Sequence, residues 1–182
     1  MDDTQLVRLC KTGEKEAFSS LIDKYYKNLY RFAFENLQSH HDADEICQET
    51  FLRALKDINT IREDGSFKGW IFTIAQNLIR KHFKRNNRQI NYDWDGEIMD
   101  AEKFKVEQTE PSDDLFTKEK KFIIQKELLS IPEELRNVAV LVIIEDFSQK
   151  QASGILNCSE ASISRRLQAA KNLLRAKLKG LI

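Results

Sequence analysis

Residues that break regular structure are scarce in this chain, which has 6 glycines and 2 prolines in 182 residues. An all-β protein needs many tight turns, so this scarcity favours a helical fold. The chain also lacks an apolar run near the ~20 residues of a membrane-spanning helix. Residues 1–4 are acidic and lack the apolar stretch of a signal peptide, so we expect a cytoplasmic protein without membrane insertion of its own.

Cysteine is also scarce. Cys10, Cys47 and Cys158 are odd in number and lie far apart, which excludes a disulfide framework and a cysteine zinc site. The chain has neither a glycine-rich phosphate loop nor a carboxylate–histidine helix motif. We therefore expect no catalytic residue, no cofactor and no enzyme activity.

One small cluster contains residue types that can hold a metal ion. His40 and His41 stand beside Asp42 and Asp44. The cluster lies at a predicted helix start, where aspartate is expected as a capping residue. We therefore predict no metal site.

An excess of either charge is absent overall but present locally. Lysine plus arginine and aspartate plus glutamate each number 29, so the formal net charge is zero. Residues 67–90 nevertheless carry 6 bases and no acid, and residues 147–182 carry 7 bases and a single acid. Residues 91–127, between these stretches, carry 11 acids and 6 bases. Two basic stretches on patterned helices favour a nucleic-acid partner, because phosphate backbones attract them.

Apolar residues repeat at steps of three and four through the first half of the chain, which predicts four helices. The first spans about 3–12, and a longer second helix follows it. The third starts near Asp42, and the fourth spans 67–85 after a loop at 59–66. Four helices with complete apolar faces can form one small bundle.

The fourth helix has the clearest pattern. We expect its apolar face to bury Trp70 and to end at His82. Phe72 lies off that face and is the better candidate for an exposed aromatic side chain, and Gln76 belongs to the remaining surface.

The second half of the chain predicts another helical unit after a polar, acidic linker at 89–112. Ser130 is placed to cap a helix that Pro132 opens. Residues 138–144 are β-branched enough to suggest a strand, but their helical flanks favour a helix.

The last segment predicts a helix-turn-helix. Ser148 and Gln151 fit a capping box before a short helix. A turn at 157–159 follows, and Ser159 caps a second helix through about Leu178. The first turns of such a helix can reach base edges in the DNA major groove.

Three stretches resemble parts of the sigma-70 family, in particular its extracytoplasmic-function (ECF) group. ADEICQETFLRA at 43–54 is similar to the polymerase-binding helix, and FKGWIFTIAQN at 67–77 to the helix that binds the promoter minus-ten element. LSIPEELR at 129–136 resembles the start of the C-terminal domain, and the final helix-turn-helix matches the minus-35 reader. The resemblance implies an all-α chain of two small helical domains, 1–88 and 113–182, joined by a flexible linker.

The resemblance also implies a function. It describes a sigma factor that binds core RNA polymerase, recognises the minus-35 and minus-ten elements of promoter DNA and aids DNA melting. Such factors are often held by an anti-sigma factor. The residues implied for polymerase binding are Asp44, Glu45, Gln48, Glu49 and Arg53. Those implied for minus-ten DNA are Asn77, Arg80, Lys81, Lys84, Arg85 and Arg88, with the loop 59–66 helping Asn77 to hold a flipped base. Those placed for minus-35 DNA are Ser162, Ser164, Arg165, Arg166, Gln168 and Lys171.

The helix-turn-helix departs from the family pattern in three places. Residues 151–153 read QAS, Asn157 replaces the usual turn glycine, and residues 161–163 read ASI. These changes leave the promoter preference open. Two other interpretations also stay open: a stand-alone helix-turn-helix regulator that binds DNA without polymerase, and a helical protein-interaction adaptor.

Overall fold

The structure, a computed structural model, describes residues 1–62, 65–86, 126–128 and 130–178. These residues form helices and connecting turns and contain no strand, which confirms the all-α prediction. The helices are α1 (Asp3–Lys11), α2 (Lys15–Leu37), α3 (His40–Asp57), α4 (Phe67–Asn86), α5 (Glu133–Ala139), α6 (Gln149–Leu156) and α7 (Glu160–Leu178). None of the described helices is long and apolar enough to cross a membrane.

The chain divides into two compact units, in keeping with the predicted pair of helical domains. The first contains α1–α4, and the second contains α5, α7 and the start of α6. The predicted linker 89–112 lies outside the described residues, as does the predicted start of the second domain at 113. Those boundaries therefore stay predictions.

Local signals fix the beginnings and ends of the first helices. The Gln5 amide donates to Asp2 Oδ1 at 2.8 Å and the Asp2 amide to Gln5 Oε1 at 3.3 Å, which is a capping box before α1. Gly13 follows α1 with a φ of 95°, a conformation that favours glycine. Helix α3 begins two residues earlier than predicted, because Ser39 accepts a hydrogen bond from the Asp42 amide at 3.2 Å and is the cap.

The core of the first unit lies between α2, α3 and α4. Leu21, Phe32, Ala33, Ile71 and Ile79 are fully buried there. The loop before α4 contributes as well. It starts with a 3-10 turn at Ile58–Thr60, and the buried Ile61 accepts a hydrogen bond at its carbonyl from Lys11 Nζ.

Helix α4 buries a different arc from the one predicted. Phe72 is 0% exposed and its ring centroid lies 5.3 Å from that of Phe32, whereas Trp70 is partly exposed. Gln76, predicted on the surface, is 3% exposed. The expectations for these three side chains were therefore wrong. The reason is that α4 packs against α1, α2 and α3 together, so it buries a wider arc than contact with one helix would require.

The second unit has its own core, formed by Leu128, Ile131, Ala139, Ala170 and Leu174. The helical prediction for 138–144 is confirmed: α5 continues as a π-helical turn, Val140–Ile144.

The predicted cap of α5 is wrong. The Ser130 hydroxyl donates backwards to the Glu127 carbonyl at 2.6 Å, and Pro132 occupies the N-cap position without a side-chain hydrogen bond. Proline fixes its own backbone angle, so it can start this short helix without a serine cap.

Two helices joined by a turn lie where the helix-turn-helix was predicted. The Gln151 amide donates to Ser148 Oγ at 3.1 Å and the Ser148 amide to Gln151 Oε1 at 2.8 Å, which completes the capping box of α6. Asn157 has a φ of 50°, so asparagine adopts the left-handed conformation expected of the usual glycine. Ser159 Oγ then accepts from the Ser162 amide at 3.2 Å and caps α7.

Candidate nucleic-acid and protein interfaces

The outward face of α3 carries the five residues predicted to bind polymerase. Glu45 and Gln48 are exposed, and Asp44, Glu49 and Arg53 are half-buried. Glu49 and Arg53 form an ion pair one turn apart, with 2.7 Å between Arg53 Nε and Glu49 Oε1. The five residues are thus spread over the outward half of α3, with Asp44 and Arg53 about 180° apart around the helix.

Asp44 is held in place by a side chain from α2. The Tyr26 hydroxyl donates to Asp44 Oδ1 at 2.9 Å, and the ring of Tyr26 stacks between those of Tyr30 and Phe51. The hydrogen bond to the Asp44 carboxylate is the main cause that raises the pKa of Tyr26 to about 12. Tyr26 therefore stays protonated and keeps donating at neutral pH.

Two exposed leucines lie on the same helix and were not recognised as surface residues from the sequence. Leu52 is 64% exposed and Leu55 is 52% exposed, although Leu55 fits the predicted apolar face. Phe51, Ala54 and Ile58 already complete the face that packs against α2 and α4. The sequence signal for Leu52 was its position outside the apolar repeat, next to charged residues.

Helix α4 presents a polar stripe to solvent. Asn77 and Lys84 lie seven residues apart, two helical turns, and both are exposed. Arg80 is half-buried near this stripe, and Trp70 lies on it, seven residues before Asn77. Trp70, which the apolar pattern predicted to be buried, is therefore a further candidate for contact with DNA on this stripe. Arg88 lies outside the described residues.

Two other bases of α4 line a groove that this helix forms with α3. The groove has a volume of about 260 Å³, and its lining includes Lys81 and Arg85 from α4 and Glu45 and Glu49 from α3. The predicted minus-ten set is therefore divided between two sides of the helix.

The predicted reader residues lie on the first three turns of α7. Ser164, Arg165, Gln168 and Lys171 are exposed, while Ser162 and Arg166 are half-buried. The inward residues Ile163, Leu167, Ala170 and Leu174 are buried, as predicted.

Arg166 differs from the other reader residues because one of its partners lies on another helix of the second unit. Its guanidinium lies 3.3 Å from Glu134 Oε2, and its Nη1 is 4.0 Å from Cys158 Sγ. These contacts tie the beginning of α7 to α5.

The cluster considered for a metal is partly rearranged. Ligand atoms of His41, Asp42 and Glu45 lie within 4.8 Å of one another in the described part of the chain. His40 instead stacks on Phe34, with 4.4 Å between ring centroids. Asp42 was expected to cap α3, but Ser39 does so. Exposed groups of this kind are common without a metal, and the cluster carries no further conclusion here.

A helical chain that ends in a helix-turn-helix and pairs an acidic helix with a basic one has the features of a DNA-binding transcription protein. Residues 21–89 match the family described as Sigma-70 region 2. The chain is 26% identical over 181 residues to the ECF RNA polymerase sigma factor SigW of Bacillus subtilis (strain 168), covering 96% of each protein. Residues 21–89 therefore carry a sigma-70 region 2, and over nearly its whole length the chain is similar to an ECF RNA polymerase sigma factor.

Two solved structures have a similar fold. The first is CnrH in complex with the cytosolic domain of CnrY, with a TM-score of 0.70 and 21% identity, covering 98% of this chain and 97% of that one. The second is the sigma factor RpoE in complex with the anti-sigma factor NepR from Bartonella quintana, with a TM-score of 0.67 and 24% identity. It covers 89% of this chain and 96% of the other. These likenesses concern the fold alone.

Proposed function

We propose that this chain is the promoter-recognition subunit of an RNA polymerase holoenzyme. The observation that carries the proposal is the pairing of α3 and α4 in one unit. Helix α3 exposes acids and leucines, and α4 exposes Asn77 among cations. A stand-alone regulator needs only the helix-turn-helix, and an adaptor needs no helix-turn-helix at all. The chain would perform no chemistry of its own and would act in the cytoplasm on the polymerase.

The surface proposed for core polymerase is the outward face of α3. Asp44, Glu45, Gln48, Glu49 and Arg53 supply charge and hydrogen bonds, and the exposed leucines supply apolar area. Interfaces of this kind commonly pair an apolar centre with a polar rim. Tyr26 keeps the Asp44 carboxylate in one orientation at no cost to the interface.

The surface proposed for minus-ten DNA is the Asn77 stripe of α4. A carboxamide can both donate to and accept from the edge of an unstacked base. Lys84 would hold a phosphate of the same strand. Arg80 belongs to the same proposed set, and its Nη2 donates to the Leu156 carbonyl in the free chain. The partly exposed Trp70 offers an aromatic face on the same stripe, which suits base stacking. Arg88 belongs to the same predicted set.

The surface proposed for minus-35 DNA is the start of α7. Arg165, Gln168 and Lys171 point away from the unit's core and carry the hydrogen-bond donors that base edges and phosphates accept. Ser162 and Ser164 lie in the first turn, where backbone amides also favour phosphate. For Arg166, the ion pair with Glu134 supports a role in orienting α7, while its place in the minus-35 set rests on the family resemblance.

An anti-sigma factor is a further proposed partner, on the basis of the family resemblance. The structurally similar sigma factor RpoE is in complex with the anti-sigma factor NepR. No residue of this chain identifies such a partner by itself.

The test is co-purification with core RNA polymerase followed by run-off transcription from a cognate promoter. We expect a stoichiometric complex and promoter-dependent transcripts. A chain in which Asp44, Glu45 and Gln48 are all changed to Ala should lose core affinity and keep its helicity by circular dichroism. Unchanged core affinity in that variant would remove the role given to this face of α3. Duplex DNA binding without any association with core would favour the stand-alone regulator.

A further inference from the structure

The loop before α4 is anchored on the core of the first unit by two isoleucines. Ile58 and Ile61 are buried, whereas Asn59, Thr60 and Arg62, which lie between and after them, are exposed. The anchored isoleucines therefore present polar side chains to solvent on the loop that the family resemblance implies in holding a flipped base.

The end of α1 holds the backbone of the same loop. Lys11 Nζ donates to the Ile61 carbonyl at 2.5 Å, across 50 residues of sequence. Lys11 is half-buried, and a hydrogen bond from an ionised donor is stronger than one between neutral groups. Because Ile61 stands between the exposed Thr60 and Arg62, this bond fixes the backbone from which both side chains project.

Helix α1 is itself held at its other end. Asp3, in its first turn, accepts hydrogen bonds from Lys24 Nζ at 2.7 Å and from the hydroxyl of the buried Tyr25. The ring centroid of Tyr25 lies 5.5 Å from that of Phe67, the first residue of α4, and the Phe67 centroid lies 5.8 Å from that of Trp70. Helix α1 is therefore connected to both ends of the loop, directly at its beginning and through Tyr25 at its end.

We propose that α1 braces this loop and that Lys11 is a positioning residue for the capture of a minus-ten base. The proposal rests on the proposed function, because the loop and Asn77 are the groups implied to hold that base. Lys11 would not touch the base. It would fix the loop backbone before DNA binds, so that less ordering is needed when the base is captured.

A direct contact between the Lys11 ammonium and a DNA phosphate would have a different signature. Loss of a phosphate contact weakens binding to every strand and reduces the salt dependence of binding. Loss of a positioning residue weakens only the part of the affinity that depends on the captured base. The two roles therefore differ in how a Lys11 variant responds to removal of that base.

The test uses three variants of the full chain, each assembled with core polymerase. Lys11→Met removes the donor and keeps an unbranched side chain, Lys11→Arg keeps a donor, and Lys15→Met removes an exposed positive charge four residues further on. The probe is a labelled single-stranded oligonucleotide with the minus-ten sequence of the promoter used for run-off transcription. In a second series, each base of this probe in turn is replaced by an abasic site. The abasic position that costs the unmodified holoenzyme most affinity identifies the captured base.

We expect Lys11→Met to raise the Kd for the intact oligonucleotide roughly 10-fold, as for the loss of one hydrogen bond from a charged group. Its Kd for the oligonucleotide that lacks the captured base should equal that of the unmodified holoenzyme. Lys11→Arg should restore most of the affinity, Lys15→Met should change neither Kd, and all three variants should keep the Kd for core polymerase.

Two results would overturn the proposal alone: an unchanged Kd of Lys11→Met for the intact oligonucleotide, or an equal loss on the intact and the abasic oligonucleotides. The second result would indicate a phosphate contact or a general structural role. An unmodified holoenzyme that is insensitive to every abasic site would refute base capture by this surface, and the role of Lys11 with it.

Discussion

Alanine substitutions at the exposed leucines of α3 should weaken core binding much more than they destabilise the fold. Full burial of a leucine side chain is worth about 1.5–3 kcal/mol, so covering the exposed 64% of Leu52 supplies about 1–2 kcal/mol to a complex. Alanine retains part of this area, so Leu52→Ala should cost about 1 kcal/mol, or roughly 5-fold in Kd. Changing Leu55 as well, which is 52% exposed, should bring the loss to roughly 20-fold.

The same exposures predict a small effect on folding. Only a minor part of Leu52 is buried in the free chain, so each substitution should lower the free energy of unfolding by less than about 1 kcal/mol. Leu29→Ala is the contrast, because that side chain is 1% exposed and its truncation should cost about 2–5 kcal/mol.

The assay combines core-binding titrations with urea unfolding of the same preparations. Core binding by the Leu52→Ala, Leu55→Ala double variant as tight as that of the unmodified chain would contradict a role of these leucines in the interface. Destabilisation of that variant as large as that of Leu29→Ala would show that the two leucines are part of the core.

Three further outcomes are expected. Asn77→Ala should reduce opening of a duplex promoter, spare core binding and be partly rescued on a template already mismatched across the minus-ten region; normal permanganate reactivity on the duplex would make Asn77 a plain surface residue. Arg165→Ala should relax preference at one minus-35 position by about 1–3 kcal/mol in competition binding, whereas a uniform loss on all promoters would assign it to the backbone. Burial raises the pKa of the Cys47 thiol to about 12, so roughly 1 in 10⁴ of this thiol is thiolate at pH 8. Iodoacetamide should therefore leave Cys47 unmodified in the folded chain and should modify the partly exposed Cys158. Mass spectrometry that found Cys47 modified before Cys158 would contradict this expectation.

Sequence periodicity predicted the helices well because each one has a continuous apolar face. It failed where a helix has more than one neighbour. Phe72 lies off the strongest face of α4, yet it is buried against Phe32, because α4 packs against three helices at once. Which helices pack against α4 depends on the tertiary arrangement, and the apolar pattern of a single helix carries no information about it. The exposure of Leu55 has the opposite cause, since no element of the described chain covers that part of α3.

Capping signals were reliable only when both partners were local and correctly spaced. Ser148 and Gln151 satisfy each other across one turn, so the sequence alone defines them. Serine is a common capping residue, but the Ser130 hydroxyl donates to the Glu127 carbonyl in the preceding turn and does not cap α5. Asn157 shows that a departure from a family pattern need not alter geometry, because asparagine tolerates the left-handed conformation that the turn requires.

The distribution of charge explains why such a chain would depend on its polymerase. A net charge of zero gives little long-range attraction to DNA, so each DNA-binding surface alone contributes a weak, salt-sensitive interaction. If core polymerase binds the acidic and leucine-bearing face of α3 as proposed, it would also neutralise carboxylates that repel the phosphate backbone. Binding to one promoter element then raises the effective concentration of the second surface at the other element. On the proposed function, promoter selection would follow from two weak DNA contacts that act together only in the holoenzyme.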